Sequence, residues 1–130
     1  MKKLIVSVVL GLTTTTISCS INKKDLLGTY SFTGKNIIDS LIIKEDIYIH
    51  KIYNKNSELM YQAKDNWSFA KDRINLEEFY NNEDNELQEP LSNTDAKKFL
   101  MLASYPIYRQ NDQIIIEVHA DENIVYKKNK

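Results

Sequence analysis

From Gly28 onward the chain is built of short runs of alternating, β-branched or aromatic residues, separated by clusters of Asn, Asp and Lys. That punctuation is the pattern of strands and turns. Thr29-Tyr30-Ser31-Phe32-Thr33 alternates with Tyr30 and Phe32 on one face. Ile47 to Tyr53 sets Ile47, Ile49 and Tyr53 opposite Tyr48, His50 and Ile52, and Gln113 to His119 puts Ile114, Ile116 and Val118 together. Further extended runs are expected at Ser40–Lys44, Leu59–Gln62, Trp67–Phe69, Arg73–Leu76 and Ile124–Lys127, with Lys64-Asp65-Asn66 read as an interruption. Phe79 and Tyr80 fall out of register with Leu76, which a β-bulge near Glu77-Glu78 would explain. Only 3 Gly and 2 Pro are present, so the turns must lean on Asn and Asp, which tolerate positive φ.

About seven to eight short strands in roughly 100 residues, joined by hairpin-length turns, predict an all-β fold. Strands with one polar face suit antiparallel pairing, and the helices that parallel strands would need are missing. The expected architecture is an antiparallel meander closing into a small barrel or sandwich. One short helix is expected near 94–103, capped by Thr94 or Asp95, although the same residues could begin a strand running to Tyr108. Asn81 to Glu89, acidic and poor in apolar residues, reads as a solvated loop.

The first 18 residues are of another kind. Lys2 and Lys3 precede the apolar run Leu4–Leu12, and Thr13 to Ser18 are small or polar except Ile17. This is the layout of a secretory signal peptide, with an apolar run too short to span a bilayer. Thr16-Ile17-Ser18-Cys19 resembles a bacterial lipobox, with Thr16 where leucine is usual. That resemblance implies lipidation at Cys19, against the alternative of ordinary cleavage and a soluble product. Cys19 is the only cysteine, and a lone thiol in an oxidising compartment would have no intramolecular partner. The expected organisation is a signal peptide at 1–18, a tether at 19–27 and one β-domain at 28–127.

A wider resemblance runs through the mature chain. Leu27-Gly28-Thr29-Tyr30, then Leu41-Ile42-Ile43 with Asp46-Ile47-Tyr48, then Trp67 leading to Ile74-Asn75-Leu76, and finally Val125-Tyr126-Lys127-Lys128 resemble small lipocalin-like lipoproteins of Bacteroidetes-type bacteria. The resemblance implies a lipid-anchored protein of the cell envelope, at the outer membrane, facing the periplasm or the exterior. Envelope-stress relatives with a comparable barrel carry C-x-x-C after the first strand. Here Lys35-Asn36-Ile37-Ile38 stands there, which argues against redox or copper sensing.

Motifs of chemistry are sparse. Two histidines, His50 and His119, without H-x-H or H-E-x-x-H spacing, read as partly exposed strand residues, so no metal ligand or cofactor is expected. There is no G-x-S-x-G and no phosphate-binding glycine loop, hence no catalytic residue to name and a non-enzyme is expected. Lys2 and Lys3 are two of the 17 basic residues; the remaining 15 face 18 acidic ones, and that net of −3 argues against nucleic acid. The acidic loop offers Glu83, Asp84, Glu86 and Glu89 as a landing patch for a basic protein, or simply as solvated surface. Seven tyrosines (Tyr30, Tyr48, Tyr53, Tyr61, Tyr105, Tyr108, Tyr126) fall in strands. Most are expected to keep the hydroxyl at the surface, and a barrel mouth lined by them could hold a small apolar ligand. The functional expectation is an envelope binding or structural module with a membrane anchor at Cys19. The alternative is a periplasmic inhibitor or immunity-type protein that binds a basic enzyme.

Overall fold

Gly28 opens the first strand for two physical reasons. Its φ is +143°, a conformation L side chains rarely adopt, and a Cβ there would lie 2.8 Å from Cε of Lys128. In the computed structural model, which describes residues 20–82 and 87–130, eight strands follow in chain order. They are β1 (Gly28–Thr33), β2 (Ile37–Ile43), β3 (Ile47–Asn54), β4 (Leu59–Ala70), β5 (Arg73–Tyr80), β6 (Leu100–Gln110), β7 (Gln113–His119) and β8 (Ile124–Lys128). Each pairs antiparallel with the next, and β8 returns to β1 to close a barrel. The closing seam is short: Tyr30 opposite Lys128, Ser31 opposite Lys127, and the Asn129 N–H donating to the Thr29 carbonyl at 2.7 Å.

The all-β meander is therefore the observed fold, in its barrel form. The turns use positive φ at Asn111, Asp112 and Asn123, as expected, and also at Ser57 and Lys71. In the turn after β3, the Asn54 side chain accepts from the backbone N–H of Asn56 and of Glu58, an arrangement that substitutes for a glycine turn. The bulge in β5 is present: the register against β6 shifts between Leu76 and Phe79, and Glu78 has φ +44°.

Three expectations about local structure are corrected. Lys64-Asp65-Asn66 does not interrupt; β4 runs unbroken for 12 residues, with Gln62, Lys64, Asn66 and Ser68 on the exposed face. Polar residues at alternate positions belong to the outside of a barrel, and charge alone does not end a strand. The helix is shorter and earlier than 94–103. α1 (Asn93–Ala96) is capped by Ser92, whose hydroxyl accepts from the Asp95 N–H, and a 3-10 turn, Lys97–Phe99, leads directly into β6. Strand pairing with β5 claims Leu100 to Ala103.

The segment read as a tether contains structure as well. Lys23–Leu26 form a 3-10 turn closed by a capping box between Asn22 and Asp25, and Leu26 is fully buried. Tyr30 donates its hydroxyl to the Leu26 carbonyl, Lys128 donates to the Asp25 carbonyl, and Arg109 pairs with the Asp25 carboxylate at 3.2 Å. Lys23 lies 5.2 Å above the Trp67 ring, whose Nε1–H donates to the Lys44 carbonyl. The turn thus plugs the barrel end where β1 begins. Leu26→Ala is expected to lower stability by about 2–5 kcal/mol, read as an earlier urea midpoint at unchanged m-value. A midpoint equal to wild type would mean that the plug contributes nothing.

At the opposite end, Ala96 of α1 is buried beside Ile37, Ile52 and Tyr61, with Tyr80, Leu87 and Leu91 packed around them. The Leu91 N–H donates to the Met60 carbonyl at 2.8 Å, which pins this cover to β4. Between the two ends, Tyr30, Leu41, Ile43, Tyr48, Trp67, Ile74, Leu76, Phe79, Tyr105, Ile116 and Tyr126 fill the interior.

Candidate functional site

Alternation along β2 points Ile37, Asp39, Leu41 and Ile43 inward, and along β3 it points Tyr48, His50 and Ile52 inward. The β2–β3 register sets Asp39 opposite Ile52 and Leu41 opposite His50. Asp39 and His50 are therefore diagonal neighbours on the inner face, within reach of each other. His50 Nε2 lies 2.8 Å from Asp39 Oδ1, and the two residues are 1% and 3% exposed. From across the barrel, the Tyr126 hydroxyl shares the same carboxylate and sits 3.5 Å from Nε2. Burial first, then the Asp39 charge, keep that phenol protonated well above the usual phenol range.

Aromatic rings hold the imidazole in place. Phe79 stacks on it with centroids 4.7 Å apart, and Tyr61 meets it edge-on at 5.7 Å. An Nε2–H donating to Asp39 leaves Nδ1 as a buried acceptor without a partner. His50 is thus a core residue, not the partly exposed strand histidine expected where no metal-ligand spacing is present. His119, half-buried at the end of β7, matches that reading. The cluster has the parts of an acid–base pair, set in the core among Phe79, Tyr61 and Tyr126. No group of three or more His, Cys, Asp or Glu that could share a metal ion occurs among the described residues.

The tyrosines also lie mostly inside. Tyr30, Tyr48, Tyr61, Tyr105 and Tyr126 are buried, which overturns the expectation of surface hydroxyls. Tyr48 donates to the Glu77 carbonyl at 2.5 Å and so fastens the bulge of β5 to the core. The barrel mouth imagined as a ligand site is occupied by these rings together with Phe79 and the cover around Ala96.

Outside, one surface differs from the rest. Phe99, Met101 and Leu102 are 60%, 44% and 69% exposed, consecutive with the start of β6 and at the end of the barrel opposite the plug. Leu100, Met101 and Leu102 line a depression of about 590 Å³ with Glu77, Glu78 and Lys97. The bulge produces the acidic wall: by turning β5 at Glu77-Glu78 it carries both side chains outward. Of the residues expected to meet a partner, Glu89 is exposed in the connection between β5 and α1. Glu83, Asp84 and Glu86 lie outside the described residues, as do Cys19 and the leader. The exposure of Phe99 to Leu102 follows neither from a helix near 94–103 nor from a strand running to Tyr108, the two alternatives the sequence offers there. The run Lys-Lys-Phe-Leu-Met-Leu, apolar without alternation, was the available signal.

The fold and its surface define a closed eight-stranded antiparallel barrel with a filled interior and an apolar, acid-bordered rim. Comparison with protein-family models, with curated proteins and with solved structures found no match for this chain.

Proposed function

We propose that this chain is an exported, lipid-anchored binding module of the bacterial envelope, and that it engages a basic protein partner through the outside of its barrel. The observation that carries this reading is the exposed Phe99, Met101 and Leu102 beside Glu77 and Glu78, over an interior already filled with side chains. Large apolar side chains grouped at a surface favour an interaction site, and the carboxylates favour a cationic partner. Among the described residues no helix is long and apolar enough to cross a membrane, and attachment in this reading falls to Cys19. Only Ser20 to Asn22 separate Cys19 from the plug, so a lipid there would hold the plugged end toward the membrane and present the apolar rim away from it. Inhibition of a basic enzyme is one form this binding could take, and the same rim would carry it.

Two experiments test the proposal. Cys19→Ala is expected to move the protein from the membrane to the soluble fraction; continued sedimentation with membranes would refute the anchor. A photo-crosslinking amino acid at Phe99 or Leu102 is expected to trap one protein adduct in envelope extract. That adduct should weaken at high salt and with Glu77→Lys/Glu78→Lys. A probe at Ser68, exposed on the outer face of β4 away from the rim, should not trap it. Equal adducts from Ser68, or co-purified lipid in place of a protein, would defeat the reading.

A further inference from the structure

Two methionines lie among the described residues, and their surroundings differ. Met60, on β4, is 4% exposed, and its carbonyl accepts from the Leu91 N–H in the barrel's cover. Met101, on β6, is 44% exposed and lines the rim depression between Leu100 and Leu102, with Glu77, Glu78 and Lys97 as the other lining residues. In the β5–β6 ladder Ala103 stands opposite Leu76 and Met101 opposite Phe79, on the two sides of the bulge. Residues directly opposite share a face of the sheet. The inward row of β6, buried at Tyr105 and Ala103, therefore leaves the core at Met101.

We infer that Met101 is an oxidation site that controls the rim: a peroxide converts its thioether to the sulfoxide, and the sulfoxide closes the apolar surface to its partner. The inference rests on the proposed binding role of the rim. The step balances without a group from the protein. A lone pair on Sδ attacks one oxygen of hydrogen peroxide and the O–O bond breaks. The departing hydroxide takes the proton left on the transferred oxygen and leaves as water. Sulfur is oxidised by two electrons and the peroxide is reduced by two.

Access selects the site. A thioether has no proton to lose, so its oxidation follows exposure rather than ionisation, in contrast to a thiol. Met101 offers that exposure and Met60 does not. Before oxidation, the flexible and polarisable methionine side chain suits a surface that must fit a partner. Afterwards it is polar and carries a strong acceptor oxygen. Between Leu100 and Leu102, that oxygen interrupts the apolar lining of the depression. An apolar group of the partner would have to strip water from it, which opposes binding.

The test treats the full-length protein with hydrogen peroxide beside two variants. Met101→Leu keeps size and apolarity and removes the reactive sulfur; Met101→Gln is polar from the start. Peptide mass spectrometry is expected to find the sulfoxide forming at Met101 about tenfold or more faster than at Met60. Retention on a phenyl column, which reads apolar surface with no partner present, should shorten on oxidation of the wild type and stay constant for Met101→Leu. Met101→Gln should elute early without peroxide. The adduct trapped from Phe99 in envelope extract should fall about fivefold or more on oxidation. Methionine sulfoxide reductase with dithiothreitol, which returns the thioether and yields water and the oxidised reagent, should restore it. Met101→Leu keeps Cys19 and every tyrosine, so an equal loss of adduct from that variant would place the effect elsewhere and overturn the inference. Comparable rates at Met60 and Met101, or a Met101 sulfoxide that leaves retention and adduct unchanged, would overturn it as well. An adduct missing before any peroxide is added would reject the rim as a binding site and the control with it, whereas an adduct that survives oxidation rejects the control alone.

Discussion

His50→Leu is expected to destabilise the barrel by about 3–5 kcal/mol, the range seen when a buried charged group loses its partner. The loss is large because the Asp39 carboxylate stays behind in the core, paired opposite Ile52, with the Tyr126 hydroxyl as its remaining partner among the described residues. Leucine fills much of the imidazole volume, so cavity formation contributes little and the unpaired acid dominates. Asp39→Asn keeps shape and a hydrogen-bond acceptor and should cost less, about 1–3 kcal/mol. The informative variant is the double one. With asparagine at 39, the His50→Leu change no longer strands a carboxylate, so the pair should be less destabilising than the sum of the singles by roughly 0.5–3 kcal/mol. Urea unfolding of the four proteins closes the cycle. Additive losses, each under about 1 kcal/mol, would mean that the cluster is not the organised unit its distances describe.

Why this cluster was not read in advance follows from where β2 begins. Starting the strand at Ser40 leaves Asp39 outside it, and His50 then has no acid beside it. Starting it at Ile37, as found, makes Asp39 an inward residue between Ile37 and Leu41. A polar residue at an inward position of one strand and a histidine at an inward position of its neighbour were both in the alternation. Strand boundaries are the weakest part of pattern reading, and a shift of three residues hid the pair. The bulge at Glu77-Glu78 was legible for the opposite reason. It lies in the middle of a strand, where Leu76 and Phe79 must both face the core and the count between them is one residue too many.

The rim was less legible still. Phe99 to Leu102 are apolar, and an apolar run is normally assigned to the interior, so their exposure depends on where α1 stops. The Ser92 cap and the burial of Ala96 end the helix at the barrel's cover, and the chain after it must leave along β6. No local pattern encodes that exit. The tyrosines failed in a similar way. Tyrosine is favoured in sheets on either face, and only closure of the barrel decides that Tyr30, Tyr48, Tyr105 and Tyr126 point into it.

That inward placement produces the second large expected effect, a steep loss of stability in alkali. Burial is the main cause that raises the phenol pKa of Tyr30, Tyr48 and Tyr126 above the usual value of 10, with Asp25, Asp65 and Asp39 as the respective nearby charges adding to it. Tyr61 is shifted in the same direction. In the unfolded chain each phenol releases its proton near 10, whereas in the barrel it stays protonated. Above that pH the folded state binds more protons than the unfolded one, so stability is intact below about 10 and falls as pH rises. One such tyrosine contributes a slope of about 1.4 kcal/mol per pH unit, and the three strongest together about 4. Against a typical domain stability of about 5–15 kcal/mol, that slope exhausts the fold within a few pH units. The expected result is a cooperative transition in circular dichroism above pH 10. Tyrosinate absorbance should rise in two stages: first from the phenols outside the core, then from the buried set, in step with unfolding. Tyr48→Phe and Tyr126→Phe should each make the alkaline limb shallower by one proton, even where they lower stability at neutral pH by losing a hydrogen bond. Reversible ionisation of all eight tyrosines near pH 10 with the barrel intact would contradict the buried placement of these rings.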